Sequence, residues 1–495
     1  MNSKPLCTAR RRQRGQAIVL FLAVVAACCC ALALVYNVGQ LTNKKEETIN
    51  AADAAALSGA LVEARMLNFS AYTNRASVAN EVSIAQLVSL ESWMQYNNQL
   101  LQNIKTYTSP IPIVGAATAA IAGASQAATT GVDLGVRAGL VGIEAEGQEL
   151  EKVRELAHAI GAIAANDVSK QIAAANVTTF GGRDDVAPEL TVGPVSFGIN
   201  QISWQNFTQQ NSGDRRQTAK DLILNSRDPF STKRGNGNII KAVNRVSQIL
   251  HGNIDYFKLI KSSGRTELKG FDHWEAQDSI DTGRGGLQCG LLSGCTTDDT
   301  VDSFSIPLGY GRADAGSNDI NHLCDFTTIF GVTTNCRLAE DNSQSLTYGG
   351  LNTFRDLADG LSASGPCSVN NGSDSPSLPY VMAVQKSAAA VKTTQQLGMN
   401  DVAVDPATSP EGSPQMVDGL QNGGNLTSIS AACVFFLRPD GDDRSLKGIS
   451  RPDGRHEFAS LYNPYWQARL TVPDPSWTRA IYLAIGLPGL DQALQ

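Results

Sequence analysis

Hydrophobic and polar positions divide the chain into three textures. The first is a run without charge from Gln16 to Gly39, in which Ala17 to Tyr36 reads AIVLFLAVVAACCCALALVY. About 20 apolar residues form a helix roughly 30 Å long, the thickness of bilayer hydrocarbon. In lipid, each backbone group must find its partner within the segment, so a helix is required. The pattern predicts a transmembrane helix over residues 16–39.

The second texture is amphipathic. Ile49, Ala52, Ala56, Gly59 or Ala60, and Glu63 recur at helical spacing, and Leu57, Leu61 and Ala64 form another small-residue stripe. No proline stands between Pro5 and Pro110. A helical stalk over 40–108 is expected to continue the membrane helix, with a bend near Asn68 to Asn74. Small residues one turn apart let backbones approach closely. That face suits association with another helix, including a second copy of the chain, or packing on the chain's own downstream domain. An Ala/Gly-rich helical region is expected over 109–180. It opens with the uncharged stretch Ile111 to Gly131, which is too weakly apolar for a second span. Glu144, Glu146, Glu149, Glu151, Lys152, Arg154 and Glu155 read as a solvated helix face, since opposite charges at helical spacing favour exposed helices.

The third texture, over 181–495, is rich in Gly, Asn, Asp, Ser and Thr and reads as a body of short strands and loops. Strands are expected at Ala431 to Leu437 and Tyr465 to Val472. Helices are expected near Ile239 to Leu250 and Val381 to Leu397. Gly283-Arg284-Gly285-Gly286 and Gly309-Tyr310-Gly311 read as turns. The fold class is therefore α+β: a membrane helix, a stalk, a helical region and a strand-rich body.

Charge sets the orientation. Lys4, Arg10, Arg11, Arg12 and Arg14 precede the span, whereas Lys44 and Lys45 are offset by Glu46 and Glu47. The basic excess predicts residues 1–15 in the cytoplasm and the body on the far side, in the periplasm of a single-pass inner-membrane protein. A cleaved signal peptide with Ala31-Leu32-Ala33 as its site, and a lipobox at Val25-Ala26-Ala27-Cys28, compete with this reading. The apolar run continues past both. The net charge of −7 gives no attraction for nucleic acid.

Six cysteines lie beyond the span: Cys289, Cys295, Cys324, Cys336, Cys367 and Cys433. An even number in an exported domain is consistent with disulfides, with free thiols as the rival, and the pairing stays open. Zinc fails on spacing, because no C-x₂₋₄-C pair with a companion histidine is present. No HExxH, GxSxG, P-loop or complete GxGxxG occurs, so no catalytic site and no cofactor are expected. Asp341-Asn342-Ser343-Gln344-Ser345 fits a DxSxS metal-adhesion string but lacks an apolar strand before it, and reads as a hydrophilic loop.

Arg14-Gly15-Gln16-Ala17, the apolar run, Asn37-Val38-Gly39-Gln40 and Asn50-Ala51-Ala52-Asp53-Ala54-Ala55-Ala56-Leu57-Ser58-Gly59-Ala60 stand in that order. This combination resembles the N-terminal region of the TadE/TadG-like proteins of Tad (Flp) pilus assembly, over about residues 14–61. The resemblance implies an inner-membrane anchor, a periplasmic body, and contacts with the bilayer and other pilus-assembly proteins of a Gram-negative bacterium. It implies a non-enzymatic role in building or holding an adhesive pilus. An exported adhesion or binding protein that shares only the anchor is the alternative. Processed minor pilins of this group carry a Glu five residues after the cleavage-site Gly. That position is Leu20 here, so the N-terminal segment is expected to stay attached.

Overall fold

The computed structural model describes residues 16–178, 194–211, 215–234, 237–243, 254–290, 294–298, 305–316, 343–361, 376–387, 425–438 and 458–484. Helix α1 runs unbroken from Gln16 to Thr108, 93 residues and roughly 140 Å. Its first part, from Ile18 onward, is exposed on all sides. It is the one described helix long and apolar enough to cross a membrane. Ser109-Pro110-Ile111 makes the turn into α2, Pro112–Thr178. Pro112 takes the first helical position, where a missing N–H costs nothing. The two helices lie antiparallel. Thr108 meets Thr118, Asn98 donates to Gln126, and Ser169 donates to the carbonyl of Ala55 at 2.8 Å.

Two sheets dock on this hairpin. The nearer one, in sequence along α1, is antiparallel and three-stranded: β9 (Leu378–Ser387), β10 (Asn425–Phe436) and β11 (Trp466–Thr471), in the order β11-β10-β9. The farther has the order β2-β3-β4-β6-β7. It comprises β2 (Gly237–Val243), β3 (Ile254–Lys269), β4 (His273–Gly290), β6 (Ser305–Ala315) and β7 (Ser343–Leu346), with β5 (Gly294–Asp298) sharing the β6 side of β4. β6 and β7 run parallel and the rest antiparallel. Short β1 (Thr208–Gln210) pairs with β8 (Arg355–Leu357). Helices α3 (Pro194–Phe207), α4 (Arg215–Asn225), α5 (Pro229–Thr232) and α6 (Pro475–Ala484) fill the flanks. The architecture is helical first and sheet-rich after, as the sequence pattern predicts.

Four expectations need correction. Residues 40–108 are not an exposed stalk throughout. From Ala51 to Tyr96, α1 carries a continuous buried stripe that forms the spine of both cores. The helix does not break between Asn68 and Asn74. Asn68 and Asn74 instead bond the body, at the Trp466 backbone and at the carbonyls of Arg355 and Leu461. Val381 and its neighbours form β9, not a helix. Tyr380, Met382 and Val384 face the α1 core while Val381 and Ala383 face Ile481 of α6, a period-2 burial that only a strand provides. Ile239 to Val243 likewise belongs to β2, paired with β3, and residues 244–253 lie outside the described set.

The two glycine strings are also not turns. Gly283 to Gly286 lie within β4. Gly309 and Gly311 alternate along β6, where a Cβ on Gly311 would collide with the Ser92 carbonyl and the Tyr96 backbone. The absence of a side chain lets the strand lie directly on α1. Ser343 to Leu346, expected as loop, form β7; Asp341 and Asn342 lie outside the described residues.

The charged face of α2 is not fully solvated. Arg154 is buried completely and donates to the Thr353 carbonyl, with its guanidinium 5.7 Å from the Phe354 ring. Glu155 pairs with Arg355 at 2.7 Å. The charges meet the strand-forming segment 351–357, a contact that helical spacing alone cannot reveal.

Both edges of the three-stranded sheet are closed by asparagine side chains acting as peptide groups. Asn68 of α1 donates to the Trp466 carbonyl and accepts from its N–H, both at 2.9 Å. Asn200 of α3 does the same for Val381 of β9, at 2.8 and 2.9 Å. Each amide satisfies two backbone groups on an edge that would otherwise invite another strand. Asn200→Ala is expected to lower unfolding stability by about 2 kcal/mol, because it strands a buried N–H and C=O. Urea denaturation of the full chain in detergent measures it, and an unchanged midpoint would contradict the assignment.

Candidate functional site

The family-like motif lies where the anchor enters the body. Gly15 lies outside the described residues, and Gln16 begins α1. Asn50 is exposed. Ala51, Ala52, Ala55 and Ala56 are fully buried, Asp53, Ala54 and Leu57 half-buried. These alanines pack with Ala162, Ala165 and Ala173 of α2 and Tyr380, Met382 and Ala432 of the three-stranded sheet. A Cβ on Gly59 would strike the Tyr380 ring and the Ser169 hydroxyl. Ser169 joins the layers, donating to Ala55 and meeting the Tyr380 phenol at 2.9 Å. Asp53 accepts from Ser430 of β10. The small-residue face is thus occupied by the chain's own body.

The arrangement is mechanical. A rigid helix emerges from an apolar segment and passes straight into a packed core. Only about 14 residues separate Gly39 from Asp53, roughly 20 Å of helix.

The cysteines divide. Cys289 and Cys295 stand directly opposite in the β4–β5 hairpin. Cys433 is fully buried in β10 and disulfide-bonded. Cys324, Cys336 and Cys367 lie outside the described residues. Cys28, Cys29 and Cys30 are free and exposed on the apolar part of α1.

Sequence spacing misses one cluster. His273 and Glu275 of β4 and Asp314 of β6 bring three ligand-type atoms within 4.8 Å of one another. The signal was hidden because Glu275 and Asp314 are register partners across strands 39 residues apart in sequence. The cluster is charge-compensated already. Arg312 meets Asp314 at 2.9 Å and Glu275 at 3.4 Å, Lys269 pairs with Glu275, and His273 lies 3.2 Å from Asp314. A cation entering here would face a guanidinium at contact distance, so the group is an ion-pair network that stitches β4 to β6. His158 is also structural. It stacks on Trp204, with ring centroids 5.5 Å apart, and burial, aided by Arg355, lowers its pKa to about 4.

Residues 15–62 match the family described as Flp pilus-assembly TadE/G-like. No curated protein and no solved structure matches the chain. The match covers the span and the buried motif on which the body packs.

Zinc or a chelator is expected to leave the melting temperature of the full chain unchanged, because the cluster's carboxylates already hold cations. Arg312→Met, by contrast, is expected to cost roughly 3 kcal/mol by taking the guanidinium from buried Asp314. Calorimetry with and without metal separates these outcomes. A zinc-dependent rise in melting temperature would reinstate the site as a metal centre.

Proposed function

We propose that this protein is a non-enzymatic component of Tad (Flp) pilus assembly, held in the inner membrane by α1 with its body in the periplasm. The observation that carries the reading is the match over residues 15–62, whose alanines are the seat of the body on the anchor helix. A continuous helix transmits position without a hinge. The body is held at a set height above the bilayer, as a scaffold for other assembly proteins requires. Self-association through the N-terminal helix would use faces other than the small-residue one, which the body covers.

Leu20 stands where a processed pilin carries its acid, so the basic segment should remain and fix the chain in the membrane. A full-length protein with an intact N-terminus is expected in the inner-membrane fraction, and a reporter fused after Gln495 is expected to be active only when exported. A mature chain starting at Gln16 in sheared pili, or cytoplasmic activity of the reporter, would overturn the reading.

The body cysteines are assigned to disulfides. Cys289 and Cys295 face one another in register, and Cys433 is already bonded. Alkylation of the unreduced protein from an oxidising compartment is expected to leave these six unmodified. Mass spectrometry showing six alkylated thiols would reject the assignment.

A further inference from the structure

Glu63 lies at the end of the small-residue motif and is fully buried. Neither of its carboxyl oxygens has a hydrogen-bond partner. The core around it consists of Ala60, Ala64 and Leu67 of α1, Ala162 and Ala165 of α2, Trp204 of α3 and the β9 and β10 strands. The titratable group that faces it is the Tyr380 phenol, and among the described residues no cation offsets its charge.

Glu81 lies 18 residues further on, five helical turns, and so on the same face of α1. It sits under the second sheet, 1% exposed. It accepts from the Tyr348 hydroxyl at 2.8 Å and the Trp274 indole at 3.4 Å. The Asn352 backbone also donates to it, and the charged neighbour is Glu144 of α2, which is an anion too. Each sheet therefore seats on the anchor helix over one carboxyl that lacks a counter-ion. Glu91, the third buried glutamate of α1, has a mixed setting: Gln95 donates to one of its oxygens, and both Asp133 and Arg137 of α2 lie nearby.

We propose that these two carboxyls make the docking of the body on α1 proton-linked: each sheet seats tightly with its carboxyl protonated and loosens when the proton leaves. Ionising a buried carboxyl without a counter-ion is costly, and the group stays neutral instead. Burial pushes Glu63 well above the ordinary carboxylate value of 4.5 and raises Glu81 to about 7. Folded values above unfolded ones mean that the stabilisation is complete below about pH 4.5. It is lost as pH rises through 7 for Glu81, and as pH rises through the raised value of Glu63. The inference rests on the fold and not on the pilus reading.

Amide hydrogen exchange on the full chain in nanodiscs tests it, comparing wild type with Glu63→Gln and Glu81→Gln at matched pH. At pH 5 each variant is expected to match wild type. At pH 8.5, β9 and β10 of wild type are expected to exchange at least about tenfold faster than in Glu63→Gln, and β4 and β6 faster than in Glu81→Gln. Equal exchange at pH 8.5 would overturn the proposal, as would variants that loosen at both pH values. Infrared spectroscopy of wild type supplies a readout independent of the variants. The C=O stretch of a protonated, non-hydrogen-bonded carboxylic acid is expected at pH 7 and should fade on alkalinisation. Its absence at pH 7 would equally refute the proposal.

Discussion

Everything in the described body depends on how closely two layers can approach one helix. α1 presents Ala51, Ala52, Ala55, Ala56, Gly59 and Ala60 to the first sheet, and Ser89, Ser92 and Tyr96 to the second. At the second contact the sheet itself supplies the space, through Gly309 and Gly311. Side chains of methyl size replace the usual interdigitation of large residues with near backbone contact. The gain is many small dispersion contacts along a long interface. The drawback is intolerance: any added volume must displace backbone, which cannot relax as a side chain can.

Close approach also explains the polar character of the interface. A helix pressed against a sheet leaves little room for water, so the polar groups between them must pair with each other. Ser89 meets Thr266 at 2.7 Å, and Ser92 donates to Asp278, which is held in turn by buried Arg234. Asn74 donates to the carbonyls of Arg355 and Leu461. These bonds set the register of the body along the helix, a task that uniform alanine surfaces perform poorly. Glu63 departs from this pattern, with neither carboxyl oxygen hydrogen-bonded.

Continuity of α1 ties this packing to the membrane. The apolar stretch and the buried stripe belong to one helix, so the span's tilt and rotation are shared with the body. The family match covers this same stretch, the span and its junction with the body.

The sequence by itself determined the anchor, the helical continuation and the strands at β10 and β11. Their cues are local: twenty apolar residues, a 3.6-residue period, and β-prone runs ended by Pro or Gly. It also exposed the motif that the family match covers. Only tertiary structure decided what that motif faces, because the same small-residue stripe serves a neighbouring chain or the chain's own sheet. It decided that Val381 to Val384 form a strand, since burial on both faces overrides helix-forming composition. It buried Arg154 and Glu63, joined His273, Glu275 and Asp314, and aimed Asn68 and Asn200 at strand edges. Each of these depends on partners far away in the chain, and a periodicity read along the sequence carries no information about which distant segment comes to lie against it.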